Sequence, residues 1–182
     1  MIFASQAGAL AFLFVSVAAA QPQMDPGEMK HAERLHAEAK EIDAGAAKAM
    51  TPEGQKRITE TIAKEFKVDP SVVTNLRSRK VGLGEATVAL ALSQELMKRD
   101  KTLTQQQALD QILTKRGAGE GWGRVAQDFG LRLGRVRADV ERAEKRVTRM
   151  ERGERAEKLD RGDKVERTER MEKPEKSSHS GR

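Results

Sequence analysis

The chain has 182 residues, with 34 Lys and Arg against 28 Asp and Glu, a formal net charge of +6 and no cysteine. Disulfides and thiolate metal sites are excluded. Aromatics make up 3% (five Phe, one Trp, no Tyr), so a core must come from Leu, Val, Ile, Ala and Met, which suits packed helices better than a sandwich or barrel.

Residues 1–20 read MIFASQAGALAFLFVSVAAA and carry no charge. The run from Ala9 to Ala20 is apolar except for Ser16 and ends in Ala18-Ala19-Ala20, ahead of Gln21. Small residues at that point fit a signal peptidase, and the run is shorter than a membrane-spanning helix needs. A cleaved signal peptide is expected, and with it a periplasmic or secreted protein without a transmembrane anchor after processing.

Three Pro-containing starts follow. Asp25-Pro26 places an N-cap before a proline at the first helical position and predicts a polar, Ala-rich helix from Pro26 to about Ala44. Met24, Met29, His31, His36 and Met50 are residue types that bind copper. However, His31 and His36 are five apart and do not share a helical face, so a solvated helix accounts for them. Neither metal nor cofactor is assigned.

Thr51-Pro52 is the second start, with Ile58, Ile62 and Phe66 on one face, and Asp69-Pro70 is the third, followed by Val72, Val73 and Leu76. After Gly82 and Gly84, the stretch from Ala86 to Met97 is the most apolar helix beyond the leader and is expected at the centre. Thr104 with Gln107 has the spacing of a capping box. Gly117 to Gly123 is a loop, and a last helix pair begins near Trp122. No alternating pattern of useful length occurs, so no strand is expected.

The middle of the chain repeats itself at an offset of 39 residues. Arg77 matches Arg116, Gly82 matches Gly121, Gly84 matches Gly123 and Val73 matches Ile112. Each copy is a helix, a glycine turn and a new helix, a duplicated helix–turn–helix unit expected to close into a compact pseudo-symmetric bundle. A second spacing overlaps the first. Ala63, Lys67 and Val73 stand as Ala126, Gly130 and Val136 do, which resembles the helix-turn-helix of DNA-binding regulators. There a small residue lets two helices cross, a turn residue accepts positive φ, and an aliphatic locks the second helix. The first copy has Lys where the second has Gly.

The segments with Gly82, Gly84 and Glu85, then Gly119, Gly121, Trp122, Gly123, Val125 and Ala126, resemble a group of small, uncharacterised, exported bacterial helical proteins that share G-x-G-E and G-x-G-W-G-x-[IV]-A motifs. Leu83 stands where that group has an aromatic. The resemblance implies a helical exported protein and carries no activity with it.

The candidate ligand or partner surface comprises Gly82, Gly84, Glu85, Gly121, Trp122, Gly123 and Arg124. Trp122 between two glycines could be an aromatic platform with helix-start amides open to an anion, but with so few aromatics it is expected to fill the core instead. Glu85 and Arg124 occupy equivalent repeat positions in a first helical turn, where an acid complements the helix dipole and a base does not. No catalytic grouping assembles, and neither glycine segment is a phosphate loop, since no Gly-Lys-Ser/Thr follows and no strand precedes.

The bases are unevenly placed. Residues 21–57 carry 6 basic and 7 acidic side chains, residues 58–137 carry 14 and 9, and residues 138–182 carry 14 and 12. Attraction for an anionic partner therefore belongs mainly to the middle segment. From Glu151 to Ser177 the pattern acid-base-x repeats nine times. Its period of three drifts around a 3.6-residue helix and cannot build a core, so a lone charged helix or disordered tail is expected.

The sequence thus predicts an all-α fold, divided into a signal peptide (1–20), a polar N-terminal helix or linker (21–50), a helical repeat domain (51–137) and a charged low-complexity tail (138–182). The expected function is non-enzymatic: an interaction or structural module in the bacterial cell envelope with an unknown protein or anionic partner. A helix-turn-helix nucleic-acid binder is the alternative, and a periplasmic metal or small-ligand binder the second alternative.

Overall fold

The computed structural model describes residues 24–49 and 51–172, with side chains as far as Gly153. The expected leader and Met50 lie outside the described residues. Among those described, all regular structure is helical: α1 (Pro26–Lys48), α2 (Pro52–Glu65), α3 (Pro70–Ser78), α4 (Leu83–Arg99), α5 (Gln105–Gly117), α6 (Trp122–Asp128) and α7 (Leu133–Glu172). No described helix is long and apolar enough to cross a membrane.

The starts lie where the cap residues place them. Asp25 accepts from Gly27 N at 2.7 Å, Thr51 from Gly54 N at 3.0 Å and Asp69 from Ser71 N at 2.8 Å, each with proline next. Thr104 and Gln107 form a reciprocal capping box. These side chains satisfy amides that a helix start leaves without partners.

Helix α4 is the centre. Ala86, Val88, Ala89, Leu90, Ala91 and Leu92 are fully buried, with α1, α3, α5 and α7 packed around them. Its polar side chains find local acceptors: Thr87 donates to Leu83 O at 2.8 Å and Ser93 to Leu90 O at 2.8 Å.

The core is larger than residues 51–137. Helix α1 and its C-cap bury Leu35, Ala39, Ile42, Ala46 and the cap residue Ala49, and α7 buries Val136, Val140, Ala143 and Val147, with Met150 partly covered. Both series step by four and three, the spacing of a coiled-coil seam. The two helices run parallel. Glu28 accepts from Leu133 N at 3.0 Å near their starts, Arg137 Nη1 donates to Glu38 at 3.2 Å, and Gly45 lies against the Glu151 carboxylate. Residues 21–50 thus hold a core helix rather than only a polar linker, and the charged tail begins after Val147, not at residue 138. The polar residues that dominate both helices occupy the outward positions. Burying one Leu or Ile contributes about 1.5–3 kcal/mol, so Ile42→Ala would open this seam.

Candidate functional site

The glycine-punctuated turns are built alike. Lys67, Lys80, Gly119 and Gly130 adopt φ of 52°, 64°, 89° and 63°. In each turn the next residue's N–H reaches back five positions: Val68 to Ala63 O, Val81 to Leu76 O, Glu120 to Lys115 O and Leu131 to Ala126 O, over 2.8–3.3 Å. These are left-handed helix C-caps that satisfy orphan carbonyls. Lys80 and Gly119 are equivalent in the 39-residue repeat, and Lys67 and Gly130 in the helix-turn-helix spacing. Lys67 therefore adopts the same left-handed backbone as its glycine counterpart. Ala63, Ala126, Val73 and Val136 are all buried.

The paired glycines serve helix packing. A methyl group at Gly84 would run into the backbone of Ala39, 2.6 Å from its carbonyl carbon. One at Gly123 would lie 2.6 Å from Met24 Cε and 3.2 Å from Ala32 Cβ. Ala32 and Ala39 are two turns apart on one face of α1, so the two repeat starts, α4 and α6, rest on the same helix. Gly82 gives no side-chain cap to α4. Asp43 of α1 supplies it instead, accepting from Gly84 N at 2.9 Å. Gly121 also lacks a capping side chain, and nothing stands within 4 Å of where its Cβ would be.

Glu85 and Arg124 do not meet. Arg124 pairs within its own helix with Asp128 at 3.0 Å. The bridge between repeats joins Glu85 to Arg116, whose Nη2 and Nε donate to Glu85 Oε1 at 2.7 and 3.2 Å. Arg116 also donates to Glu120 O at 3.1 Å and lies 4.8 Å over the Trp122 ring. Trp122 is 5% exposed. It fills the join between the repeats, with the guanidinium as its lid, and offers no open ring face. A shallow cleft of about 450 Å³ borders this group, lined by Arg79, Lys80, Val81, Glu85, Leu113, Arg116, Gly117 and Trp122. Nearby, Lys115 donates to Asp128 at 2.5 Å, which lowers the Asp128 carboxyl below its ordinary range and raises the Lys115 ammonium.

The histidines and methionines near the start do not converge. Met24 covers Gly123, Met29 is 48% exposed, His31 lies by Gly134 and His36 is exposed. Among the described residues no three His, Asp or Glu side chains form a group able to hold a metal ion.

A larger cleft lies elsewhere, where the ends of α2 and α4 meet α7. It measures about 760 Å³. Lys64, Lys67, Lys98, Lys101, Arg142 and Arg146 form its rim, with Phe66, Met97 and Leu103 among its apolar lining. A smaller cleft of about 260 Å³ adjoins it through Lys98 and adds Arg99, Arg132 and Arg135. Together the two are lined by nine bases and three acids: Glu65, Glu95 and Asp139. That excess of six matches the formal net charge of the whole chain, +6.

The acids fix bases from below. The Glu65 side chain is 8% exposed and holds Arg146 at 2.6 Å and Arg142 at 3.6 Å. Glu95 pairs with Lys98, and Asp139 with Arg142. Lys64, Lys67, Lys101, Arg132 and Arg135 have no ion pair with a described residue. The outer layer is therefore cationic. Sequence placed the basic excess on the middle segment but not on this face, because its members come from three helices distant in the chain. The one local signal was the spacing of Arg135, Asp139, Arg142 and Arg146 along α7.

No protein family model matches the chain, and no curated protein or solved structure matches it.

Proposed function

We propose that this chain is an exported, non-enzymatic helical protein that acts as an interaction module in the bacterial cell envelope and engages an anionic partner. The observation that carries this is the double cleft, where bases without acid partners stand outermost and the acids lie beneath them. Packing by contrast accounts for Gly84, Gly123, Trp122 and Glu85, which leaves little of the glycine segments for ligand chemistry. Export rests on the uncharged stretch ending at Ala20 and on the resemblance to small exported proteins.

Mass spectrometry of the protein recovered from cells tests the export. Gln21 is expected as its first residue, in the periplasmic fraction or the medium. Soluble cytosolic protein with residues 1–20 retained would overturn it.

One observation favours a second reading, nucleic-acid binding. In the second helix-turn-helix spacing, the helix after the turn is α7, and Arg132, Arg135 and Arg142 at and beyond its start are exposed. Gel shifts with duplex DNA decide between the two. A duplex complex whose affinity falls steeply with salt would favour this reading over the first.

A further inference from the structure

We infer that the larger basic cleft is a docking groove for an acidic, amphipathic polypeptide segment of a partner protein. This rests on the anionic-partner reading above and names the class of partner. Three features carry it: a preformed cationic rim, an apolar floor beneath it, and no acid-rich stretch within residues 1–23 or 173–182.

The rim is held ready. Arg142 and Arg146 lean on the nearly buried Glu65, and Lys98 on Glu95. The amide of Gln94 is tied to Phe66 O at 2.5 Å and that of Gln105 to Ser93 Oγ at 2.6 Å. Side chains already fixed lose less freedom on binding. Lys64, Lys67 and Lys101 supply charge that no described acid answers. A ligand carboxylate meeting them satisfies both groups, and an apolar side chain of the same ligand reaches Met97 and Leu103.

Other occupants fit less well. Residues 1–23 contain no acid, and residues 173–182 contain Glu175 against Lys173, Lys176 and Arg182, so neither of these stretches complements the groove. Single-stranded nucleic acid needs exposed rings on which bases stack. The aromatic in this cleft, Phe66, is 2% exposed. A flat anionic membrane would meet the rim but not a recessed floor. The large apolar side chain exposed among the described residues, Met29, belongs to α1 and does not line this cleft. An amphipathic segment laid in a groove uses rim and floor together.

The test is fluorescence anisotropy with the full chain and a short labelled peptide of Glu residues with Leu at every third or fourth position. Saturable binding is expected. Lys67→Glu with Lys101→Glu should weaken it about tenfold or more, and raising the salt should weaken it further. Replacing the peptide's Leu with Ser should cost several-fold, and replacing its Glu with Lys should abolish binding. Both lysines are exposed, and Lys67→Gln with Lys101→Gln, which should weaken binding less, guards against a folding defect of the reversed pair. Peptide affinity unchanged in both double variants would overturn the proposal. So would tighter binding of a single-stranded oligonucleotide or of phosphatidylglycerol vesicles, which would leave the anionic-partner reading standing. If no polyanion of any class binds, that broader reading fails as well.

Discussion

The backbone nitrogen of Gly84 donates a 2.9 Å hydrogen bond to the carboxylate of Asp43, so the start of α4 is capped by a side chain of α1. The central helix and the first helix are thereby joined by a contact that is polar, directional and dipole-assisted. Asp43→Ala removes both the acceptor and the charge. A loss of about 1–2 kcal/mol is expected, a drop of about 2–4 °C in Tm for each kcal/mol in a chain of this size. Asp43→Asn keeps an acceptor and should recover more than half of it. Thermal unfolding followed by circular dichroism reads the difference, and an Asp43→Ala protein that melts with the wild type would show the cap to be idle.

Three glycines of the repeat region differ in what surrounds them, and this orders their alanine variants. At Gly84 the added methyl meets main chain, the carbonyl of Ala39, which cannot rotate away. The helices must separate, at a cost of about 3 kcal/mol or more. At Gly123 the nearest atoms are the flexible end of Met24, with Ala32 Cβ at 3.2 Å, so the cost should be smaller. Gly117 ends α5 with nothing within 4 Å, and Gly117→Ala should gain about 0.5–1 kcal/mol. Urea denaturation should rank the variants Gly117→Ala, Gly123→Ala, Gly84→Ala from most to least stable. Any other order would mean that the crossing of α1 with α4 and α6 is not as close as described.

Much of the fold was legible because local chemistry decided it. Asp25-Pro26, Thr51-Pro52, Asp69-Pro70 and the Thr104–Gln107 box each act within one turn of chain, and each starts a helix. The apolar run of α4 identified the centre for a similar reason, since it can be buried only from all sides. The role of α1 was not read, although Leu35, Ala39, Ile42, Ala46 and Ala49 step by four and three. Three of the five are alanines, which carry little hydrophobic signal but permit close approach to α7 and α4. The same holds for Val136, Val140, Ala143 and Val147, whose regular steps are masked by arginines and acids on the other faces. At the candidate site, the repeat made Glu85 and Arg124 equivalent in position but named no partner for Glu85, which is Arg116. Arg116 stands at the end of α5, whose C-terminal turn brings it to both Glu85 and the Trp122 ring.

Arg116 can be followed through the one tryptophan of the chain. Its guanidinium lies 4.8 Å over the Trp122 ring and shields it from water. Arg116→Ala removes the lid together with the bridge to Glu85. Both partners of that bridge are about a third exposed, so the pair itself is worth no more than about 1 kcal/mol. The cation–π contact adds about 0.5–1 kcal/mol. A red shift of tryptophan emission in the folded state is expected, with a loss of about 1–2 kcal/mol from the two terms. Glu85→Gln should show part of the stability loss and no emission shift. An unshifted spectrum for Arg116→Ala would place Trp122 under some other cover.

The pH dependence of stability should carry two opposite signs, from Glu38 and Asp69. Burial in the α1–α7 seam pushes the Glu38 carboxyl above the ordinary glutamate range, although the hydrogen bond and charge of Arg137 pull it down; Glu141 and Glu144 add to the rise. Its Oε2 has no hydrogen-bond partner. The folded state therefore holds this proton more tightly than the unfolded chain. Its contribution is fully present below the unfolded pKa and is lost as pH rises through the folded one. Asp69 behaves in the reverse sense. Its side-chain and backbone hydrogen bonds with Ser71 hold its carboxyl below the ordinary aspartate range, so its contribution is present at neutral pH and is lost as pH falls through the lowered value. Near neutral pH, Glu38→Gln should melt at or above the wild-type temperature and Asp69→Asn below it. Both differences should shrink toward zero in acid, as the native carboxyls become neutral like their amide replacements. Melting curves from about pH 3 to 7 would give two differences of opposite sign. Two of the same sign would mean that Arg137 outweighs the burial of Glu38 and that the α1–α7 seam is more open to water than its packing indicates.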